Sequence, residues 1–205
     1  YGGLVFHDVI KKRHAEKAAE AGVDGLILVA AGAGGHGGTL NPMPFISEVR
    51  SFFKKTILLS GCISSGRDIA SAIQMGADLA YLGTRFINTT ESKAGEEYKE
   101  MIVNSKAGDI VYTAAVSGVN ANFLRPSLES MGITEDMWGN SKKIDFGEEL
   151  DAAQAEAKAW KTIWSAGQGV TSIEDCPSTK ELIENLKKEF IESIKAQSEV
   201  LKKFL

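Results

Sequence analysis

The chain has few cysteines, no excess of positive charge and no hydrophobic segment of membrane-spanning length. Its two cysteines, Cys62 and Cys176, stand far apart and form no Cys-x-x-Cys pair, which excludes the usual zinc signatures and a disulfide framework. The formal net charge of −4 predicts no general attraction to nucleic acid or to an anionic membrane. The apolar run over 23–31 is too short to cross a bilayer. We therefore expect a cytoplasmic protein without nucleic-acid or membrane partners.

Segments with the pattern of β-strands alternate with helix-like segments in the first half of the chain. The hydrophobic fraction of 43% and the charged fraction of 24% are those of a globular protein with one sizeable core. Strands are predicted at 4–6, 23–31, 56–60 and 78–82, and helices at 11–21, 42–53, 65–76 and 91–103. Ser65 and Asp68 resemble a capping box, and Gly22 and Gly76 are placed to end two helices. Such alternation favours an α/β protein with a parallel sheet, either doubly wound or part of a βα-barrel.

The pattern changes beyond residue 106. Residues 110–116 are predicted to be extended, and 117–126 to form an ordered loop that could fold back over a site. Helices are predicted over 150–164 and behind a capping box at Ser178. The apolar stripe of this last helix is typical of packing against the parent domain: Leu182, Ile183, Leu186, Phe190, Ile191, Ile194 and Leu201. We thus expect a partial barrel over 1–105, and a substrate-side loop with helices packed on the barrel over 106–205.

A glycine cluster around His36 follows the apolar run over 23–31. A buried strand that ends in glycines is suited to bring an imidazole to a ligand, because glycine lets the backbone approach closely. The alternative interpretation is a solvated loop histidine without a function. Gly32, Gly34 and Gly37 also fit Gly-x-Gly-x-x-Gly, but no helix opens on the third glycine and no acidic residue follows about twenty positions later. We therefore reject a dinucleotide-binding fold.

Two further loops follow predicted strands and carry small residues. Residues 61–66, Gly-Cys-Ile-Ser-Ser-Gly, come after the third strand, and residues 82–85, Leu-Gly-Thr-Arg, come after the fourth. In a βα-barrel, phosphate commonly binds to the loops after the last two strands, with a helix N-terminus behind them. Either loop alone is explained as well by a tight turn. Together, in consecutive βα units, they predict a phosphate site.

Three segments carry a family resemblance. They are Ala-Gly-Gly-His-Gly over 33–37, Leu-Ser-Gly-Cys-Ile-Ser-Ser-Gly-Arg over 59–67, and Met-Gly-Ala-Asp-Leu-Ala-Tyr-Leu-Gly-Thr-Arg-Phe over 75–86. With them the chain resembles the nitronate monooxygenases, formerly called 2-nitropropane dioxygenases. The set is specific for this FMN superfamily and less so for one activity, since flavin-type enoyl-ACP reductases and some flavin quinone reductases share the Gly-Gly-His-x-Gly loop.

The resemblance implies a TIM barrel with tightly bound FMN. The implied phosphate contacts lie around Gly61, Cys62, Gly83 and Thr84, with Tyr81 and Leu82 leading in. The same resemblance implies that Gly34 and Gly35 lie beside the isoalloxazine ring and that His36 is the catalytic base. Candidates for the substrate side are Asn120, Asn122 and Arg125.

Two residues depart from the family pattern. Val29 stands where many relatives have a glutamine near the flavin, which changes the hydrogen bonding available to the ring. Cys62 replaces the second glycine commonly found in its turn. We expect the backbone contact of Cys62 to survive this replacement if φ is negative there.

The chain also differs from the family in length. Family members have eight βα units, and the four predicted here match the last four. Because the chain lacks an initiator Met and begins inside a strand-like run, we expect the C-terminal half of a TIM barrel plus a helical extension. A missing N-terminal half, or a second copy in a homo-oligomer, would complete the barrel.

For the complete enzyme, the resemblance implies FMN-dependent oxidation of alkyl nitronates or nitroalkanes by O₂ to a carbonyl compound and nitrite. A nitronate is already an anion, whereas a neutral nitroalkane must first lose its α-proton, a task suited to an imidazole. One alternative is a flavin-dependent NAD(P)H reductase of enoyl thioesters or quinones. Another is a noncatalytic half-barrel that binds a phosphate ligand.

Overall fold

A computed structural model of the protein describes residues 2–139 and 163–205. Its strands are β1 (Phe6–Val9), β2 (Gly25–Val29), β3 (Gly35–His36), β4 (Thr56–Ser60), β5 (Leu79–Tyr81), β6 (Ile110–Thr113) and β7 (Ala121–Leu124). Its helices are α1 (Lys12–Glu20), α2 (Pro42–Phe52), α3 (Gly66–Gln74), α4 (Thr84–Ile87), α5 (Glu96–Asn104), α6 (Arg125–Ser130), α7 (Glu135–Trp138) and α8 (Thr179–Leu201). The helix predicted over 150–164 lies outside the described residues, apart from its last two positions.

Four strands form a parallel sheet in the order β1-β2-β4-β5. Helices α1, α2 and α3 connect successive strands of this sheet, which confirms the predicted α/β class and its βα units. Strand β4 has the predicted bounds. Strand β1 begins at Phe6, two residues later than predicted, because it pairs with β2 only from Phe6 onward.

The main core lies between this sheet and helices α1 and α2. Leu26 and Leu28 of β2 are fully buried and pack in one cluster with Ala15 of α1 and Phe45 of α2. Alternate residues of β4 are buried in the same cluster, as expected for side chains that point to opposite faces of a sheet. Because all four strands run in the same direction, their carboxyl ends meet at one edge of the sheet.

Capping interactions start the helices where the sequence predicts them. Asn41 Oδ1 accepts a hydrogen bond from Met43 N at 3.0 Å, just before Pro42 opens α2. Ser65 and Asp68 form a capping box at α3, and Ser178 and Glu181 form one at α8. The two capping boxes confirm the predicted starts of α3 and α8.

A second, antiparallel sheet has the order β3-β7-β6. The prediction of a loop over 117–126 is wrong for 121–124, which form the central strand β7 of this sheet. All four residues of β7 are buried, so the alternation that marks a half-exposed strand is absent from its sequence. Strand β3 is a two-residue strand within the glycine loop, and it depends on pairing with β7, more than eighty positions later in the chain.

The first part of α8 packs on α3. Leu182 and Leu186 are buried, whereas Ile191, Ile194 and Leu201 are between 41% and 57% exposed, so the predicted packing of the whole apolar stripe is wrong for its second half. The reason is length, since 23 residues of α8 span about 34 Å and the nine residues of α3 only about 14 Å. In the described part of the chain, no helix combines the length and the apolar character that a membrane crossing requires.

Candidate active site

A cavity of about 250 Å³ lies where the carboxyl ends of β4 and β5 meet the segments 33–34 and 165–169. Six of the residues predicted to bind a cofactor line it: Gly34, Gly61, Cys62, Tyr81, Gly83 and Thr84. Ile63 and Ser64, from the predicted loop over 61–66, also line it, and the rest of the lining was not predicted: Ala33, Ser60, Ile87, Ser165, Gly167 and Gly169. The sequence carries a signal for the wall formed by 165–169, because Gly167 and Gly169 form a Gly-x-Gly pair there.

Other predicted residues lie outside the lining of the cavity. Gly35 and His36 form β3, directly after Gly34, and the side chain of His36 is exposed. Leu82 faces a separate apolar pocket between β5 and α8. Asn122 is 4% exposed and lies on β7, opposite Gly35. Asn120, in the turn before β7, is exposed, and its substrate role remains a prediction.

Glycines allow the walls of the cavity to touch backbone to backbone. A Cβ atom on Gly34 would lie 2.9 Å from Gly167 N, and one on Gly167 would lie 2.6 Å from Gly32 O. The contact is held by hydrogen bonds from Gln168 N to Gly32 O at 2.8 Å and from Gly167 N to Thr84 Oγ1 at 3.0 Å. Three segments that are distant in sequence therefore form one rigid rim.

Two carboxylates occupy the N-terminus of α3. Asp68 Oδ2 accepts hydrogen bonds from Ser64 N and Ser65 N, both at 2.9 Å. Glu189 of α8 accepts one from Gly66 N at 2.6 Å. These groups satisfy donors that an anion would otherwise meet at a helix N-terminus. With Ser64 N, Ser65 N and Gly66 N already bonded to carboxylates, an anion in the cavity would meet chiefly the turn 61–63, the Ser64 hydroxyl and the start of α4.

Comparison with known proteins places the chain in a family. The family model for nitronate monooxygenase matches residues 4–189. The chain belongs to the nitronate monooxygenase family. It is 30% identical over 197 residues to a nitronate monooxygenase of Paraburkholderia phytofirmans, an alignment that covers 89% of this chain and 53% of that protein. The chain spans about half the length of the curated relatives it matches.

Solved structures of related proteins superpose on nearly the whole chain. FabK from Thermotoga maritima has a TM-score of 0.78 at 27% identity, over 100% of this chain and 65% of that one. A nitroalkane oxidase from Streptomyces ansochromogenes has a TM-score of 0.75 at 26% identity, over 96% and 60%. The cavity and all its loops lie within the part that the nitronate monooxygenase model matches.

Cys62 adopts a left-handed backbone conformation. Its φ is +59°, the one positive φ at a residue other than glycine in the described ranges. The condition of a negative φ is therefore not met, and a glycine would suit the turn better. The Cys62 Sγ lies 3.4 Å from Ala31 O and 3.8 Å from Gln168 Oε1. Burial, and then the nearby carboxylate of Asp68, raise the pKa of the thiol above its ordinary value.

Replacing Cys62 by glycine is expected to raise the free energy of unfolding by about 0.5–1 kcal/mol. Left-handed backbone costs a residue with a Cβ about 1–2 kcal/mol, and the greater freedom of glycine in the unfolded chain offsets up to about 1 kcal/mol of this gain. Cys62→Ala is the matched control, because it removes the sulfur and keeps the strain. Chemical denaturation measures the free energy of unfolding of both variants. Equal values would show that the left-handed conformation at position 62 costs a residue with a Cβ no free energy.

Tyr98 of α5 supports the wall formed by 165–169. Its hydroxyl donates a hydrogen bond to Ser165 O, and its ring stacks on Trp164 with centroids 5.1 Å apart and planes 14° apart. Burial raises the pKa of Tyr98 above its ordinary value, so the phenol remains a neutral donor at physiological pH. The stacked ring and the hydrogen bond together hold this wall against the glycine loop.

Proposed function

We propose that this chain supplies the phosphate-binding loops and the catalytic base of an FMN-dependent enzyme that oxidises alkyl nitronates and nitroalkanes with O₂. The observation that carries the proposal is the convergence of the segments 33–34, 61–64 and 83–84 on one glycine-lined cavity, in a chain of the nitronate monooxygenase family. His36 follows the first of these segments directly. The small-molecule substrate and O₂ are the partners that this chemistry requires.

The residues around the cavity fit a flavin phosphate. Ser64 is 4% exposed, and its hydroxyl has no hydrogen-bond partner among the described residues. A Cβ on Gly83 would have no neighbour within 4 Å, so Gly83 leaves its backbone open toward a ligand. The volume of about 250 Å³ is below the roughly 300–1,000 Å³ of pockets that enclose a whole ligand. The cavity thus suits the phosphate end of the cofactor.

The residues divide the tasks of binding and proton transfer. Gly61, Gly83 and Thr84 would hold the phosphate through backbone N–H groups, and Gly34 and Gly35 would lie beside the ring. The flavin would supply the electron transfer to O₂. His36 would remove the α-proton of a neutral nitroalkane: the C–H bond breaks, the proton moves to the imidazole, and the electron pair stays on the substrate as the nitronate. The exposure of His36 allows it to return this proton to water.

We further propose that the parallel sheet forms half of a (βα)₈ barrel. Its outer strands β1 and β5 pair with one neighbour each among the described residues. Leu79 and Tyr81 on β5 are 53% and 49% exposed, although both are large and apolar over most of their surface. Four more strands, from the same protein or from a second copy, would pair with both edges and cover these side chains.

A comparison of two reactions tests the proposed activity. The protein as it is naturally produced should carry FMN, show the visible spectrum of a flavin, and consume O₂ when an alkyl nitronate is added, with nitrite as a product.

A second candidate is supported by the Gly-Gly-His-x-Gly loop at 34–38, which flavin-type enoyl reductases share. Oxidation of NAD(P)H by an enoyl thioester or a quinone, without nitronate-dependent O₂ uptake, would establish that candidate instead.

Replacing Ser64 by alanine tests the position of the phosphate. The variant is expected to bind FMN about 10- to 100-fold more weakly, because a hydrogen bond to a charged group contributes about 1.5–3 kcal/mol. Riboflavin, which lacks the phosphate, serves as the control ligand and should bind equally well to the variant and to the unchanged protein. Fluorescence titration measures both affinities. Equal losses for the two flavins would place the phosphate elsewhere.

A further inference from the structure

Two side chains from the antiparallel sheet hold the loop that carries His36. Asn122 Nδ2 donates a hydrogen bond to Ala33 O at 2.7 Å. The hydroxyl of Tyr112 donates one to Gly37 O at 3.1 Å. Ala33 and Gly37 lie on the two sides of β3, so each end of the segment that contains His36 is bonded to a side chain of the same antiparallel sheet.

The two donors come from one row of residues across the sheet. Asn122 of β7 lies opposite Gly35 of β3, and Tyr112 of β6 lies opposite Asn122. Residues that lie opposite each other project from the same face of a sheet. Two strand spacings, about 9–10 Å, separate β6 from β3, and the long Tyr112 side chain spans this distance to reach Gly37 O.

The loop needs such restraints because of its composition. Five of the seven residues over 32–38 are glycine, and glycine loses more conformational freedom on ordering than any other residue. General base catalysis depends on a donor and an acceptor held at hydrogen-bonding distance and in line. A loop with this much freedom would place the imidazole correctly for only a small fraction of the time.

We infer that Asn122 and Tyr112 are positioning residues for His36, and that Asn122 acts on the reaction through the loop and not by contact with the substrate. The inference rests on the proposed function. Asn122 is 4% exposed, and its amide nitrogen is already bonded to Ala33 O, which leaves it poorly placed to meet a substrate. The side chain of Tyr112 is 38% exposed, so the removal of its hydroxyl leaves the core intact.

The test combines a structural and a kinetic measurement on two variants, Tyr112→Phe and Asn122→Ala, each made in the protein at its full natural length. Amide hydrogen exchange over 33–37 should become faster in both variants. The kcat with a neutral nitroalkane should fall about fivefold in Tyr112→Phe, the effect of one neutral hydrogen bond, and further in Asn122→Ala. The KM for the nitroalkane and the rate with the matching nitronate should change less than about twofold, because the nitronate needs no proton removal.

Val119→Ala is the matched control, since Val119 lies in the turn between β6 and β7 and is 57% exposed. Val119→Ala should change neither the amide hydrogen exchange over 33–37 nor the rates with the nitroalkane and the nitronate. If Asn122→Ala does not fold, Tyr112→Phe carries the test alone. Unchanged exchange over 33–37, or equal losses with nitroalkane and nitronate, would overturn the inference. A protein without activity toward either substrate would refute the proposed function, and the exchange measurement would still decide whether the two side chains restrain the loop.

Discussion

Replacing His36 by asparagine is expected to lower the rate of oxidation of a neutral nitroalkane by about 10²- to 10⁴-fold, the usual contribution of a general base. Asparagine retains hydrogen-bonding groups but has no basic nitrogen, so the α-proton would have to leave to water. FMN should remain bound, because His36 does not line the cavity. The measurement is kcat/KM for a nitroalkane and for its nitronate at one pH, together with the flavin content of the purified variant.

The comparison of substrates separates the base role from other roles of His36. The nitronate is already deprotonated, so its oxidation should change by less than about tenfold. His14→Asn is the matched control, since His14 lies on α1, away from the cavity. Equal losses with both substrates would show that His36 binds the substrate or orders the loop, and would refute its role as a base.

A second large effect is expected from Gly66→Ala, which should lower the free energy of unfolding by about 3 kcal/mol or more. A Cβ on Gly66 would lie 2.2 Å from Leu186 O and 2.4 Å from Phe190 N. Both are backbone atoms of α8, so no side-chain rotation can relieve the clash and the two helices must move apart. Overpacking of this kind costs about 1–3 kcal/mol and occasionally more, and the separation also weakens the hydrogen bond from Gly66 N to Glu189.

Thermal unfolding provides the measurement for Gly66→Ala. For a chain of this size, 3 kcal/mol corresponds to a decrease in Tm of about 6–12 °C. Gly108→Ala is the matched control, because a Cβ on Gly108 would have no neighbour within 4 Å. A loss of less than about 1 kcal/mol in Gly66→Ala would show that α8 does not pack on α3 as closely as described. Flavin affinity should fall as well, since Gly66 follows the turn that lines the cavity.

Local sequence signals predicted the elements of the parallel sheet. Strand β4 was predicted over 56–60 without error, because an apolar run between turn residues marks a buried strand. The capping boxes at Ser65 and Ser178 marked the starts of α3 and α8, because the hydrogen bonds of a cap join residues only three positions apart. Strand β1 lies at 6–9 instead of the predicted 4–6, since its position depends on pairing with β2.

Long-range contacts explain what sequence reasoning missed. The antiparallel sheet pairs Gly35 with Asn122. Strand β3 has only two residues, and no local pattern in so short a segment predicts such a pair. Glu189 accepts a hydrogen bond from Gly66 N, although the two residues are 123 positions apart in the chain. The sequence places Gly66 in the loop over 61–66 and within a capping box, but the close approach of α8 that requires a glycine there is visible only once both helices are in place.

The sequence by itself determined the α/β class, the order of the βα units and the three loops at the carboxyl ends of the strands, because hydrophobic periodicity, caps and turn residues act over a few positions. Only the tertiary structure decided how those loops close on one cavity and that residues 165–169 form one of its walls. It also decided that Cys62 adopts a left-handed conformation. These features depend on contacts between segments far apart in the chain, and their geometry follows from packing that no single segment contains.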